Sequence, residues 1–186
     1  MQATQILMEE HRVIERVLKA LQTAANRLSQ GEEIQPVFFI NVALFNKNFT
    51  DGCHHRKEEG VLFVAMSESG VLTRGGPIGV LLAEHEQGRD FTRSMEDAAQ
   101  KWEAGDPSAR AVVVQDALGF VTLLRVHIHK EDNIFFPMAD RLIPPDRQEK
   151  VAADFERIEQ EETGEGIHEK YLALAEVLEK ESLKRI

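Results

Sequence analysis

Apolar residues recur at helical spacing along almost the whole chain, and period-two alternation bounded by hairpin turns is essentially absent. Four stretches interrupt the pattern: Ser29 to Pro36 (SQGEEIQP), Ser67 to Pro77 (SESGVLTRGGP), Glu103 to Ser108 (EAGDPS) and Leu142 to Asp146 (LIPPD). They hold the Gly, Pro and Ser that end one helix and start the next. Five helices are therefore predicted, at about 3–29, 36–67, 77–103, 107–140 and 146–184, the last kinked at Thr163 to His168 (TGEGIH). Short connections between long helices favour antiparallel neighbours. The expected fold is all-α, an up-down-up-down four-helix bundle with an additional C-terminal helix packed outside. A chain of 186 residues suits a single domain over 1–186, with the bundle at about 1–140 and a C-terminal helical extension at about 146–184.

Heptad counting finds polar groups where the core should be. In the first helix Leu7, His11, Ile14, Leu18, Leu21, Ala25 and Leu28 alternate steps of four and three, the inward seam of a bundle helix. In the fourth, Val113, Ala117, Phe120, Leu124, His127, Glu131, Ile134 and Met138 do the same. A histidine and a carboxylate are costly to bury unpaired.

Height along the bundle brings these groups together. His11 and His54 each lie about 27 Å from the turn that joins their helices, at 1.5 Å per residue. His54 and His85 match across the second turn, and His85 and His127 across the third. Four histidines, one per helix, converge on one layer. Glu58 and Glu131 stand four residues after His54 and His127, about 40° around the helix and so on the same face. The segments His54 to Phe63 (HHRKEEGVLF) and His127 to Phe136 (HIHKEDNIFF) thus echo one another. Neutral imidazoles and two bridging carboxylates inside a bundle suit a pair of transition-metal ions that keep open positions.

Composition narrows the chemistry. The formal net charge of −10 and the lack of a basic patch argue against nucleic acid or an anionic membrane as partner. No apolar run approaches the length of a membrane span and no leader pattern is visible, so a soluble cytoplasmic protein is expected. The single cysteine, Cys53, excludes an internal disulfide and reads as a small packed residue. Any one of the histidines alone would be read as solvated or hydrogen-bonded, but six matched positions on four helices turn the reading to metal. His129 falls about 200° from His127 and reads as solvated. His55 and Glu59 read as outward or outer-layer neighbours of His54 and Glu58. The acidic run Glu156 to Glu165 reads as a solvated face. His168 is a further candidate ligand, because the glycines before it would let the last helix bend inward; Tyr171 is a weaker candidate for an outer hydroxyl.

The pattern His11, His54-x-x-x-Glu58, His85 and His127-x-x-x-Glu131 resembles the ligand set of hemerythrin-like, or HHE cation-binding, proteins over residues 1 to about 140. The resemblance implies two iron ions in an oxo- or hydroxo-bridged di-iron centre, with zinc a lesser alternative. It would assign His11 and His54 to one iron, His85 and His127 to the other, and the two glutamates to both. Oxygen carriers of that family show a His-x-x-x-His pair on the third helix, whereas Leu81 and Arg89 flank His85 here. They also close on His-x-x-x-x-Asp, a spacing that His127 and Asp132 satisfy beside Glu131. The leading expectation is a protein that binds or reacts with dioxygen, peroxide or nitric oxide as sensor, scavenger or small-gas handler, with Phe120, Phe135 and Phe136 near the site. Two alternatives are an enzyme-like role, in peroxide decomposition or iron mobilisation for iron–sulfur repair, and a helical interaction module that metal merely staples.

Overall fold

The computed structural model describes residues 2–163 and 166–184. Among the described residues there are six helices and no strand. Helix α1 is Ala3–Ser29, α2 covers residues 36–68, α3 is Pro77–Glu103, α4 covers 107–142, α5 covers 145–163 and α6 is Ile167–Leu183. The predicted ends of the first four hold to within two residues. Pro36, Pro77 and Pro145 occupy first-turn positions, where a missing N–H costs nothing. Gly105, at φ 103°, ends α3 by letting the Asp106 N–H close on the Lys101 carbonyl at 3.0 Å.

The predicted fifth helix is two. Helix α5 stops at Thr163 and α6 starts after Gly166, whose φ of 76° is left-handed; Gly164 and Glu165, inside the predicted kink, lie outside the described residues. Nor is this extension merely packed outside. Helix α3 packs on α4 and α2, α4 packs on α1, and α5 and α6 run along the sparse seam between α1 and α2. Tyr171, Ala175 and Leu178 of α6 enter the larger apolar cluster, and Val151 and Phe155 of α5 enter the smaller one.

These clusters lie on either side of the histidine layer. The larger holds Ile14, Leu18, Leu21, Phe39, Phe45, Val113 and Phe120; the smaller holds Leu7, Leu62, Phe63, Phe135 and Phe136. The whole predicted seam of α1 is buried. That of α4 holds from Val113 to Glu131 and then fails: Ile134 is 56% exposed and Met138 only half-buried, and Phe135, Phe136 and Ala139 are buried instead. The cause is a π-type turn over Glu131–Phe135, where i→i+5 bonding makes the turn wider and rotates successive residues by less than about 100°. The inward face slips by one residue. Similar turns occupy Asn46–His55, Glu58–Leu62 and Ile158–Thr163.

By length and composition alone, α4 is long and apolar enough to cross a membrane, contrary to the expectation that no stretch would be. Within this fold it is a core helix, with about half of that apolar window buried and His127 and Glu131 facing the interior.

Candidate metal centre

Six side chains predicted to meet do meet. His11, His54, Glu58, His85, His127 and Glu131 are all buried in the layer between the apolar clusters. Glu58 Oε1 lies 3.4 Å from His54 Nε2, and its Oε2 lies 3.5 Å from His85 Nε2. Glu131 Oε2 lies 3.2 Å from His11 Nε2 and 3.1 Å from His127 Nε2. Each carboxylate therefore touches a histidine of both pairs.

The ligand atoms form two groups, each within 4.8 Å: His11, His54, Glu58 and Glu131, and His55, Glu58, His85 and His127. The sequence reading makes His55 an outward or outer-layer neighbour of His54. It is buried, and its ring stacks on His85 with centroids 3.8 Å apart and planes 10° from parallel. The π-type turn over Asn46–His55 explains why adjacent residues 54 and 55 both reach the interior.

An outer ring of carboxylates holds the imidazoles. His11 Nδ1 meets Asp132 at 2.7 Å, His54 Nδ1 meets Glu10 at 3.0 Å, His55 Nδ1 meets Asp51 at 3.3 Å, His85 Nδ1 meets Glu59 at 2.6 Å and His127 Nδ1 meets Glu84 at 2.8 Å. An ionised carboxylate can only accept, so each Nδ1 carries a proton, and a ring that is neutral turns its Nε2 lone pair to the centre. Cations brace this ring in turn: Arg12 pairs with Asp132, Lys57 with Glu10, Arg89 with both Asp51 and Glu59, and Lys130 with Glu84. Asp132 thus orients His11, while Glu131 occupies the interior. Of these outer carboxylates the sequence pattern singles out only Glu59 and Asp132. The signal for two others was adjacency, since Glu10 precedes His11 and Glu84 precedes His85, each serving a histidine of the neighbouring helix.

Electrostatics shows what the layer lacks. Burial and the facing Glu131 push the Glu58 carboxyl well above its usual range. Burial acts on Glu131 in the same sense, but His127 and His11 outweigh it and hold that carboxyl low. His127, despite burial, is raised to about 9 by Glu131 and Glu84, whereas burial and the neighbouring His11 lower His54 to about 4. All four oxygens of Glu58 and Glu131, and His11 Nε2, are buried without a hydrogen-bond partner. Two facing carboxylates cannot both ionise there without added positive charge. Metal ions would supply it, and the donor set of imidazole and carboxylate suits iron or zinc.

The remaining expectations sort by position. His168 stands apart, grouped with Glu10 and Cys53 and 3.3 Å from Glu159. Tyr171 lies in the larger cluster, edge-on to Phe45. Cys53 is buried with its sulfur 4.0 Å from Glu10. His129 is exposed, as expected. Phe136 stacks on His11 at 5.4 Å and Phe63 on His85 at 5.9 Å, giving the centre an aromatic floor. A cavity of about 170 Å³ between α2 and α3 is walled by Asn46, Thr50, Gly88, Thr92 and Phe120, with His55 also in its lining.

Comparison with known proteins agrees with this chemistry. The sequence profile of the hemerythrin HHE cation binding domain matches residues 2–139. Uncharacterized proteins of Mycobacterium bovis and of two strains of Mycobacterium tuberculosis are 28% identical over 164 residues, 88% of this chain. The chain spans 63% of the length of those relatives. No solved structure gives a significant match.

Proposed function

The chain belongs to the hemerythrin HHE cation-binding family, and on that premise we propose that it is a non-haem di-iron protein that binds or reacts with dioxygen, peroxide or nitric oxide. His11 and His54 would hold one ion, His85 and His127 the other, with Glu58 and Glu131 bridging both. One observation carries this reading: four carboxylate oxygens, buried and without hydrogen-bond donors, face imidazole nitrogens on both sides. Such oxygens are poor structural elements and good ligands. When bound, a pair of iron ions supplies redox chemistry and open positions for a small oxidant or gas.

The chain's own groups favour that use. Asp132, Glu10, Glu59 and Glu84 fix the imidazole tautomers, so the Nε2 atoms are pre-aimed. Phe63, Phe135 and Phe136 keep bulk water from one side. The small cavity beside the centre suits molecules of a few atoms better than a large substrate.

The test is spectroscopic. Iron-loaded protein, reduced and then exposed separately to dioxygen, hydrogen peroxide and nitric oxide, is expected to change its visible absorption with at least one of them, and Glu58→Ala to abolish the response. Failure to retain iron, or a spectrum indifferent to all three, would contradict the proposal.

A further inference from the structure

Gly88 sits inside the long helix α3, where a glycine is a poor choice beside alanine. Neither backbone nor packing explains it. Its φ is not left-handed, and a Cβ there would meet Leu124 Cδ2 at 3.5 Å and Phe120 Cε2 at 3.6 Å, which is ordinary van der Waals contact. Gly119 differs, since a Cβ there would come within 2.6 Å of Phe91 and close helix packing requires its absence. What the missing side chain does at position 88 is leave room in the cavity between α2 and α3. The walls of that cavity are polar although they are buried. Asn46 and Thr50 on α2 and Thr92 on α3 are at most 5% exposed. Asn46 Nδ2 donates to Thr92 Oγ1 at 3.3 Å, which leaves the Thr92 hydroxyl proton to donate elsewhere. Thr50 Oγ1 is buried with no hydrogen-bond partner among the described residues. Such a hydroxyl is costly unless a molecule from outside the chain satisfies it. The lining extends from Lys47 and Arg93, both exposed, to His55, which is buried and stacks on His85. Its cations are already paired: Lys47 with Glu96, Arg93 with Asp90, and Arg89 with Asp51 and Glu59.

Resting on the two-metal reading above, we infer that this cavity, held open by Gly88, is the route by which small hydrogen-bonding molecules pass between solvent and the polar layer. Thr92 and Thr50 offer such a molecule hydrogen bonds in place of those it gives up to bulk water. The route selects by chemistry. A molecule that both donates and accepts, such as peroxide, is passed along the hydroxyls, whereas an apolar gas gains nothing from them. The far side of the layer is closed, because Phe136 and Phe63 of the smaller cluster stack on His11 and His85. On the open side Phe120, from the larger cluster, is the cavity's apolar wall.

Azide is a suitable probe, since it is small, accepts hydrogen bonds, is not consumed and changes the visible absorption of oxidised iron when it binds. Stopped-flow absorption of the iron-loaded protein gives its association and dissociation rates. A residue of the route touches azide in neither end state, so closing the route slows both rates and leaves their ratio alone. Gly88→Leu, which fills the cavity, is expected to slow both by about tenfold or more, with Kd within about twofold of the parent. Gly88→Ala should slow both by a smaller factor and raise the melting temperature of the metal-free protein, because the added methyl meets only ordinary contacts and the helix loses a glycine. Thr50→Val keeps the shape and removes the hydroxyl, so it should slow azide while leaving nitric oxide binding to the reduced protein at the parental rate. Parental azide rates in folded Gly88→Leu, or a changed Kd at an unchanged association rate, would overturn the inference. Should Gly88→Leu fail to fold, Gly88→Ala with parental rates or a lowered melting temperature would overturn it equally. A parent protein whose spectrum ignores azide would instead remove the two-metal reading on which the route depends.

Discussion

Lys57 brings an ammonium group into a place that solvent does not reach. Its Nζ lies 2.5 Å from Glu10 Oε1 and 3.1 Å from Glu159 Oε2, so it links α5 to the carboxylate that orients His54. Burial alone would lower its pKa; Glu10 and its other neighbours raise it instead. Lys57→Met leaves Glu10 a buried carboxylate with no cation beside it, and should cost about 3–5 kcal/mol in urea denaturation. A loss near zero would mean that the pair is solvated in solution. Glu58→Gln acts in the other direction. Its amide can donate to the imidazole nitrogens that Glu58 now faces, so metal-free stability should stay level or rise while two-ion binding is lost. Differential calorimetry with and without metal separates the two effects. At this scale the sequence exposed the six inner residues, because matched height and rotation on four helices can be counted. It hid His55, Glu10, Asp51 and Glu84, because their places depend on side chains reaching across to other helices or on a turn that is not α-helical.

Among the elements, helix ends were legible wherever Gly and Pro fall at the breaks. The π-type turns were not, since a count at a fixed 3.6 residues per turn assumes that no turn is wider. Ile134 and Phe135 make the difference measurable. A regular helix would bury Ile134, but the observed turn exposes it and buries Phe135. Phe135→Ala should therefore cost about 3–5 kcal/mol, and Ile134→Ala no more than about 0.5 kcal/mol. Equal costs would argue against the wider turn. The same slip beside His55 is what admits a second consecutive histidine to the layer. The extension was misplaced for a related reason. Its apolar residues announce a buried face, but only the sparse contact between α1 and α2 shows where that face is received.

The whole molecule is two apolar clusters divided by one polar layer. Packing on both sides should let the helices persist without metal, whereas the layer itself stays under-neutralised. Bound ions then stabilise the fold through linkage, by about 2.7 kcal/mol for a site held at a hundred times its dissociation constant. For a chain of this size that is a rise of roughly 5–10 °C in the melting temperature, reversed by chelation, with helical circular dichroism at room temperature unchanged. Collapse to an unfolded chain on chelation would instead favour metal as a structural staple.

The most direct test of the central claim is metal analysis, together with the absorption spectrum, of protein purified quickly and without added metal or chelator. Two irons per chain, with visible absorption that shifts on exposure to dioxygen, peroxide or nitric oxide, is the expected result. A chain that carries no iron, or a single zinc and a featureless spectrum, would contradict it.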